Sequence, residues 1–135
     1  MEPKKRILII EDDEFIRELY QEELTRVGYQ VDVLGSGKNG IATLEQNNYD
    51  LLLLDIMLPD TNGLDLLREI RSKPAIAGLK VVVLTNLGQD DAVRQSFALG
   101  VVGYLIKVSY NPDQIVKEVI DFINGKVSQE PLPQH

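Results

Sequence analysis

The sequence predicts an α/β protein built on one doubly wound, five-stranded parallel sheet flanked by five helices. Five short runs rich in leucine and β-branched residues recur along the chain, separated by stretches whose apolar residues fall at helical spacing. The runs lack polar alternation, as expected of strands covered on both faces. Four of them end in charged or reactive side chains: Glu11, Asp12 and Asp13 after residues 7–10, Asp55 after 51–54, Thr85 after 81–84 and Lys107 after 104–106. Strands alternating with helices imply right-handed crossovers and a parallel sheet. In such sheets the groups at the carboxyl ends of the strands collect in one crevice.

Residues 6–10 read as the first strand. Between 13 and 27, Phe15, Ile16, Leu19, Tyr20, Leu24 and Val27 mark a helix closed by Gly28. Residues 31–34 form a short second strand and 37–45, with Ile41, Ala42 and Leu44, a second helix. The third strand is 50–54; the loop 59–63 leads to a helix over 64–72 that stops before Pro74. Residues 80–84 are the fourth strand, 90–99 a helix ended by Gly100, and 102–106 the fifth strand. Asn111-Pro112-Asp113 opens the last helix, with proline at the first helical position, and the helix runs to about Asn124 before Gly125. Phe15, Phe97 and Phe122 fall at core positions of their helices.

At 135 residues the chain suits one domain, taken as 1–124, with a tail over 125–135 whose Pro131-Leu132-Pro133 is expected to be extended or disordered. No second domain or internal repeat is visible, so a stand-alone unit is expected. A net charge of −7 argues against direct nucleic-acid binding, and Lys4, Lys5 and Arg6 read as a solvated terminus. Cysteine is absent, which removes disulfides and thiolate metal sites and suits a cytoplasmic setting. No apolar run approaches the roughly 18 residues of a membrane span. The single histidine, His135, is the last residue, so catalysis by a histidine of this chain is excluded.

An aspartate closing four consecutive leucines is costly to keep charged unless a partner meets it. A carboxylate there can form an aspartyl-phosphate, and phosphoryl transfer needs mainly positioning and charge neutralisation. The acidic cluster at residues 11–13, Asp55 in Leu-Asp-Ile-Met-Leu-Pro with Gly63 following, Thr85, Tyr104 and Lys107 stand in order, each at its strand. In this set, spanning about residues 5–124, the chain resembles the receiver domain of bacterial two-component response regulators.

The resemblance implies a flavodoxin-like sheet of strand order 2-1-3-4-5. It implies a phosphorylation-dependent switch in which Asp55 accepts a phosphoryl group from a histidine kinase, a phosphotransfer protein or a small phosphodonor. Such a protein is a phosphoacceptor rather than an enzyme, at most adding and removing its own phosphoryl group. The cofactor implied is Mg²⁺ or Mn²⁺, held by Asp12, by Glu11 directly or through water, by Asp55 and by the backbone carbonyl of Met57. Lys107 is implied as charge partner of Asp55, Thr85 as a hydrogen-bond donor to the phosphoryl group, and Tyr104 as the residue coupling the site to a protein-binding surface at about residues 88–124. Simpler roles stand beside these: helix capping for Glu11, Asp12 and above all Asp13, an exposed strand-end lysine, a β-forming threonine, and a tyrosine at the sheet rim.

Two positions depart from the family pattern. Val108 stands where proline and a cis bond are usual, so the turn either relaxes to trans or holds a costly bond. Asn86 stands where a smaller residue is usual, and is expected to narrow access to Asp55 or to bond the phosphoryl group, slowing reaction with small donors. Asp60, Asp90 and Asp91 read as loop and helix-start acids, and Gly35-Ser36-Gly37 lacks the spacing of a phosphate loop. The alternatives are an unphosphorylated receiver-like scaffold, a Mg²⁺-dependent phosphatase with an aspartate nucleophile, and a flavin- or nucleotide-binding domain. The phosphatase would want an acid where Met57 stands; the flavin or nucleotide domain would want a glycine- or hydroxyl-rich first loop where Glu11-Asp12-Asp13 stands.

Overall fold

The computed structural model describes residues 4–129, so the expectations for Pro131-Leu132-Pro133 and His135 lie outside the described residues. In chain order the elements are β1 (Arg6–Ile10), α1 (Glu14–Arg26), β2 (Gln30–Leu34), α2 (Gly40–Gln46), β3 (Leu51–Leu54), α3 (Gly63–Ser72), β4 (Val81–Thr85), α4 (Asp90–Ala98), β5 (Gly103–Ile106) and α5 (Pro112–Ile123), with one 3₁₀ turn at Lys107–Ser109. The strands pair in parallel in the order β2-β1-β3-β4-β5. The predicted fold class and strand order are therefore those observed.

Strand alternation divides the core into two layers. Ile7 and Ile9, Leu51 and Leu53, Val82 and Leu84 pack on one face with Tyr20 and Leu24 of α1 and Val119 and Phe122 of α5. Leu8 and Ile10, Leu52 and Leu54, Val81 and Val83 pack on the other with Leu44 of α2, Leu66, Leu67 and Ile70 of α3 and Ala92 of α4. The central strands are buried on both faces, which is why they read as unbroken apolar runs.

Helix ends follow local chemistry. Asp13 caps α1 by accepting from the Ile16 N–H at 3.1 Å, and Asn111 and Gln114 form a reciprocal capping box on α5 with Pro112 at its first position. Gly28 and Gly100 stop α1 and α4 at φ 111° and 77°, a left-handed backbone that glycine adopts without steric cost. α2 begins three residues later than predicted. The Gly37 N–H is held by Asp60 at 3.3 Å, and the segment before Gly40 forms a turn instead of a helical one.

Two further expectations are corrected. Phe15 is 72% exposed, and Val27 is exposed too; Phe15 lies in the first turn of α1, about 140° around the helix from the buried Tyr20. Arg6 is no solvated terminus. Its guanidinium reaches Asp32 at 3.1 Å and Asn47 at 3.2 Å and lies over the Tyr49 ring, 4.9 Å from its centroid. The Tyr49 hydroxyl donates to Asp32 at 2.6 Å, closing a polar cluster at the amino-terminal end of the sheet.

Burial, the hydrogen bond to Asp32 and that residue's charge push the Tyr49 hydroxyl up to about 12. A raised folded-state pKa means stability fully present below the unfolded value near 10 and lost as pH rises through the folded one. The wild type is expected to exceed Tyr49→Phe in urea midpoint below pH about 10, with the gap closing by about pH 12. A gap constant across that window would show that the hydroxyl is not held by Asp32.

Candidate functional site

The parity of the strands builds the site. Carrying each alternation one step past the strand end puts Glu11 after Ile7 and Ile9, Asp55 after Leu51 and Leu53, and Lys107 after Leu105, all on the α1/α5 face. Thr85 follows Val81 and Val83 on the opposite face, where Tyr104 also packs. The β1–β3 register pairs Ile10 with Leu54, so Glu11 and Asp55 emerge side by side, and the Asp55 N–H is bound to the Ile10 carbonyl at 3.0 Å.

Glu11 and Asp55 are buried, 3% and 5% exposed. Asp12 is exposed at the rim, and one carboxylate oxygen from each of the three lies within 4.8 Å of the others. Lys107 supplies the counter-charge. Its ammonium donates to Asp55 Oδ2 at 2.7 Å and forms an ion pair with Glu11 Oε1. The other Asp55 oxygen, Oδ1, accepts from the Met57 N–H at 2.9 Å, so both oxygens of Asp55 have a partner.

The loop after β3 is pinned close to this carboxylate. Gly63 donates its N–H to the Ile56 carbonyl at 3.1 Å, and a Cβ at position 63 would sit 2.3 Å from the Ile56 Cα. Met57 bridges to Asn62 in the same hairpin-like closure, with its own side chain largely exposed. On the other flank Thr85 is fully buried, and its hydroxyl oxygen accepts from the Leu87 N–H at 3.3 Å. The Tyr104 hydroxyl donates to the Leu87 carbonyl, so one loop residue is bonded to both Thr85 and Tyr104.

The electrostatics follow from burial. Desolvation pushes the Glu11 carboxyl up, against the pull of Lys107 and of the Asp13 N–H. Burial by itself would lower the Lys107 ammonium, but its hydrogen bond to Asp55, its close ion pair with Glu11 and the charges of both outweigh that and push it up. Burial, and then the charge of Asp55, raises the Tyr104 hydroxyl to about 12.

Three oxygen-donor carboxylates against a single ammonium leave the cluster net negative, a donor set that suits a hard divalent cation such as Mg²⁺ or Mn²⁺. The fit is supported by Glu11 Oε1. That oxygen is fully buried and contacts Lys107 as an ion pair without the angles of a hydrogen bond, and it has no other partner.

All the predicted side chains thus gather at the carboxyl end of the sheet, Glu11, Asp12, Asp55 and Lys107 in one cluster and Thr85 and Tyr104 joined through Leu87. Asp13 is the helix cap, Asp91 accepts from Gln95 within α4, and Asp60 holds Gly37. No peptide bond among the described residues is cis, so Lys107 reaches both carboxylates with Val108 in trans. The Asn86 carboxamide oxygen accepts from the Val108 N–H at 3.1 Å. Three features were missed. Lys107 serves Glu11 as well as Asp55, which the strand parity would have revealed. Arg17 braces the first loop by donating to the Glu11 carbonyl at 3.1 Å. The Asn86–Val108 bond had no signal in either residue alone.

Residues 7–120 match the family model described as the response regulator receiver domain. The chain is 39% identical over 102 residues to the transcriptional regulatory protein CusR of Escherichia coli (strain K12), covering 76% of this chain and 44% of that protein. It is 35% identical over 114 residues to the transcriptional regulatory protein ResD of Bacillus subtilis (strain 168), covering 84% and 46%. It therefore spans less than half the length of these curated relatives. Among solved structures it is similar to a CheY-like response regulator receiver domain protein from Methanospirillum hungatei JF-1, with TM-score 0.82, 28% identity and coverage of 90% and 95%. It is also similar to the Mn²⁺-bound form of response regulator Rcp1, with TM-score 0.76, 31% identity and coverage of 96% and 99%.

Removing the ammonium would leave Glu11 and Asp55 buried against each other. Lys107→Met is expected to cost about 3 kcal/mol in metal-free buffer, the low end for a broken buried pair because the lysine is partly exposed. Adding Asp55→Asn should recover part of that loss. Urea midpoints of the two variants check this, and equal midpoints for wild type and Lys107→Met would refute the ion-pair account.

Proposed function

This chain belongs to the response regulator receiver domain family, and we propose that it is a phosphorylation-dependent switch of a two-component system in which Asp55 is the phosphoacceptor. Receiver domains are signalling domains, generally not enzymes, and among the described residues no helix is long and apolar enough to cross a membrane. The observation that carries the reading is the pairing of a buried strand-end carboxylate with a lysine beside two further acids.

One Asp55 oxygen attacks the phosphorus of a phosphohistidine in a kinase or phosphotransfer protein, or of a small acyl phosphate. A P–O bond to Asp55 forms, the bond to the leaving imidazole or carboxylate breaks, and that group takes up a proton as its basicity requires. Asp12, Glu11, Asp55 and the Met57 carbonyl would hold Mg²⁺ or Mn²⁺, whose contribution is to neutralise the charge of the transferred group. Lys107 keeps a positive charge at the acceptor oxygen, with its ammonium held well inside its charged range.

The Thr85 hydroxyl, which at rest accepts from Leu87, is free to donate its proton to a phosphoryl oxygen. Drawing Thr85 toward that oxygen loosens the Leu87 N–H, and Leu87 is the residue whose carbonyl holds Tyr104. The β4–α4 loop and Tyr104 are thereby biased together between two arrangements, and residues about 88–124 present the change to a protein partner.

Incubation with acetyl phosphate and Mg²⁺ is expected to add one phosphoryl group to the wild type and none to Asp55→Asn, read by intact mass. Equal labelling of the two proteins would remove Asp55 from the role. Asp12→Ala is expected to weaken Mg²⁺ binding at least tenfold, followed by titration with thermal denaturation as readout; an unchanged titration would count against the cation site.

A further inference from the structure

We propose that Asn86 is a positioning residue for Lys107, acting through the Val108 N–H to hold the ammonium on Asp55 and Glu11. The inference deepens the reading of Asp55 as phosphoacceptor and rests on it for its kinetic part alone.

Lys107 sits just past β5, at the first position of the 3₁₀ turn Lys107–Ser109. Upstream, its neighbour Ile106 is fixed by the register pairing of Ile106 with Thr85. Downstream, the Lys107 carbonyl accepts from the Tyr110 N–H at 3.3 Å, and Tyr110 packs its side chain against the core layer of α1 and α5, three residues beyond the lysine. The Val108 side chain is 81% exposed and anchors nothing by burial. Between the two ends of the turn, the Val108 N–H donated to Asn86 Oδ1 is the bond that ties its backbone to the segment after β4.

The bond sets the plane of the Lys107–Val108 peptide and, through it, the direction in which the Lys107 side chain leaves the backbone. A long side chain with four rotatable bonds loses considerable freedom when its ammonium is held on two carboxylates. A fixed backbone exit lowers that cost. Asn86 itself is the residue between Thr85, on β4, and Leu87, whose N–H and carbonyl meet Thr85 and Tyr104. The same three-residue stretch therefore holds the hydroxyl, the tyrosine and, through Asn86, the turn that carries the ammonium.

Two consequences separate positioning from crowding. If Asn86 only narrowed the approach to Asp55, its truncation would speed phosphorylation by small donors. As a positioning residue its truncation slows it, since Lys107 spends less time at the acceptor oxygen.

The test compares wild type with Asn86→Ala, which removes the acceptor, and Val108→Ala, which keeps the N–H. Lys107 acylation by an amine-reactive ester, read by peptide mass spectrometry on the unphosphorylated protein, is expected to rise about threefold to tenfold in Asn86→Ala, the worth of one hydrogen bond. It should be unchanged in Val108→Ala. The rate of Asp55 labelling by acetyl phosphate and Mg²⁺ is expected to fall by a similar factor in Asn86→Ala and to hold in Val108→Ala. Unchanged Lys107 acylation in Asn86→Ala, or faster labelling of Asp55 in that variant, overturns the proposal. A wild type that takes no label at Asp55 overturns the phosphoacceptor reading instead, while the acylation rates still decide whether Asn86 positions Lys107.

Discussion

The rest of the site depends on one ammonium group shared between two buried carboxylates. Glu11 and Asp55 are brought together by the register of β1 and β3, and two buried carboxylates side by side need a positive charge between them. Lys107 compensates both from the carboxyl end of β5, reaching across β4 to bond Asp55 and pair with Glu11. Buried pairs of this kind contribute little net stability, because desolvation consumes most of the Coulombic gain. Their value here is chemical. Three carboxylates against one ammonium make an acidic cluster whose oxygen donors suit a divalent cation.

A second constraint links that centre to the surface. Thr85 and Tyr104 lie on the opposite face from Asp55, so neither is part of the ion-pair cluster, and Leu87 is the residue bonded to both. On the proposed reading, a change at Asp55 felt by the Thr85 hydroxyl would reach Tyr104 through this single loop residue. The arrangement suits a two-state device, since the hydrogen bonds at Leu87 are either kept or exchanged and the packed sheet beneath does not deform continuously.

The polar cluster at the other end of the sheet illustrates the division of labour in this fold. Arg6, Asp32 and Tyr49 close the amino-terminal edge with an ion pair and a tyrosine hydrogen bond, which leave the buried Arg6 Nε without a partner. At the carboxyl end the excess of acid over base is left unmatched. The same sheet thus carries a structural network at one end and a reactive one at the other.

The strands, their order of burial and the collection of Glu11, Asp12, Asp55, Thr85 and Lys107 at one end were legible from the chain, because period-two packing and parallel crossovers leave few choices once apolar runs end in polar residues. Phe15 misled because an apolar residue spaced i, i+4 from Leu19 need not lie on the face that buries Tyr20 and Leu24. Arg6 misled because its partners Asp32, Asn47 and Tyr49 are distant in sequence. The Lys107–Val108 turn and the role of Asn86 belonged to tertiary structure altogether. A trans peptide carrying an N–H and a carboxamide two strands' ends apart mean nothing until the β4–β5 register sets them 3.1 Å from each other. Residue types and their periodicity determined which groups meet; the loops, whose backbone directions depend on bonds between distant residues, decided how they are held.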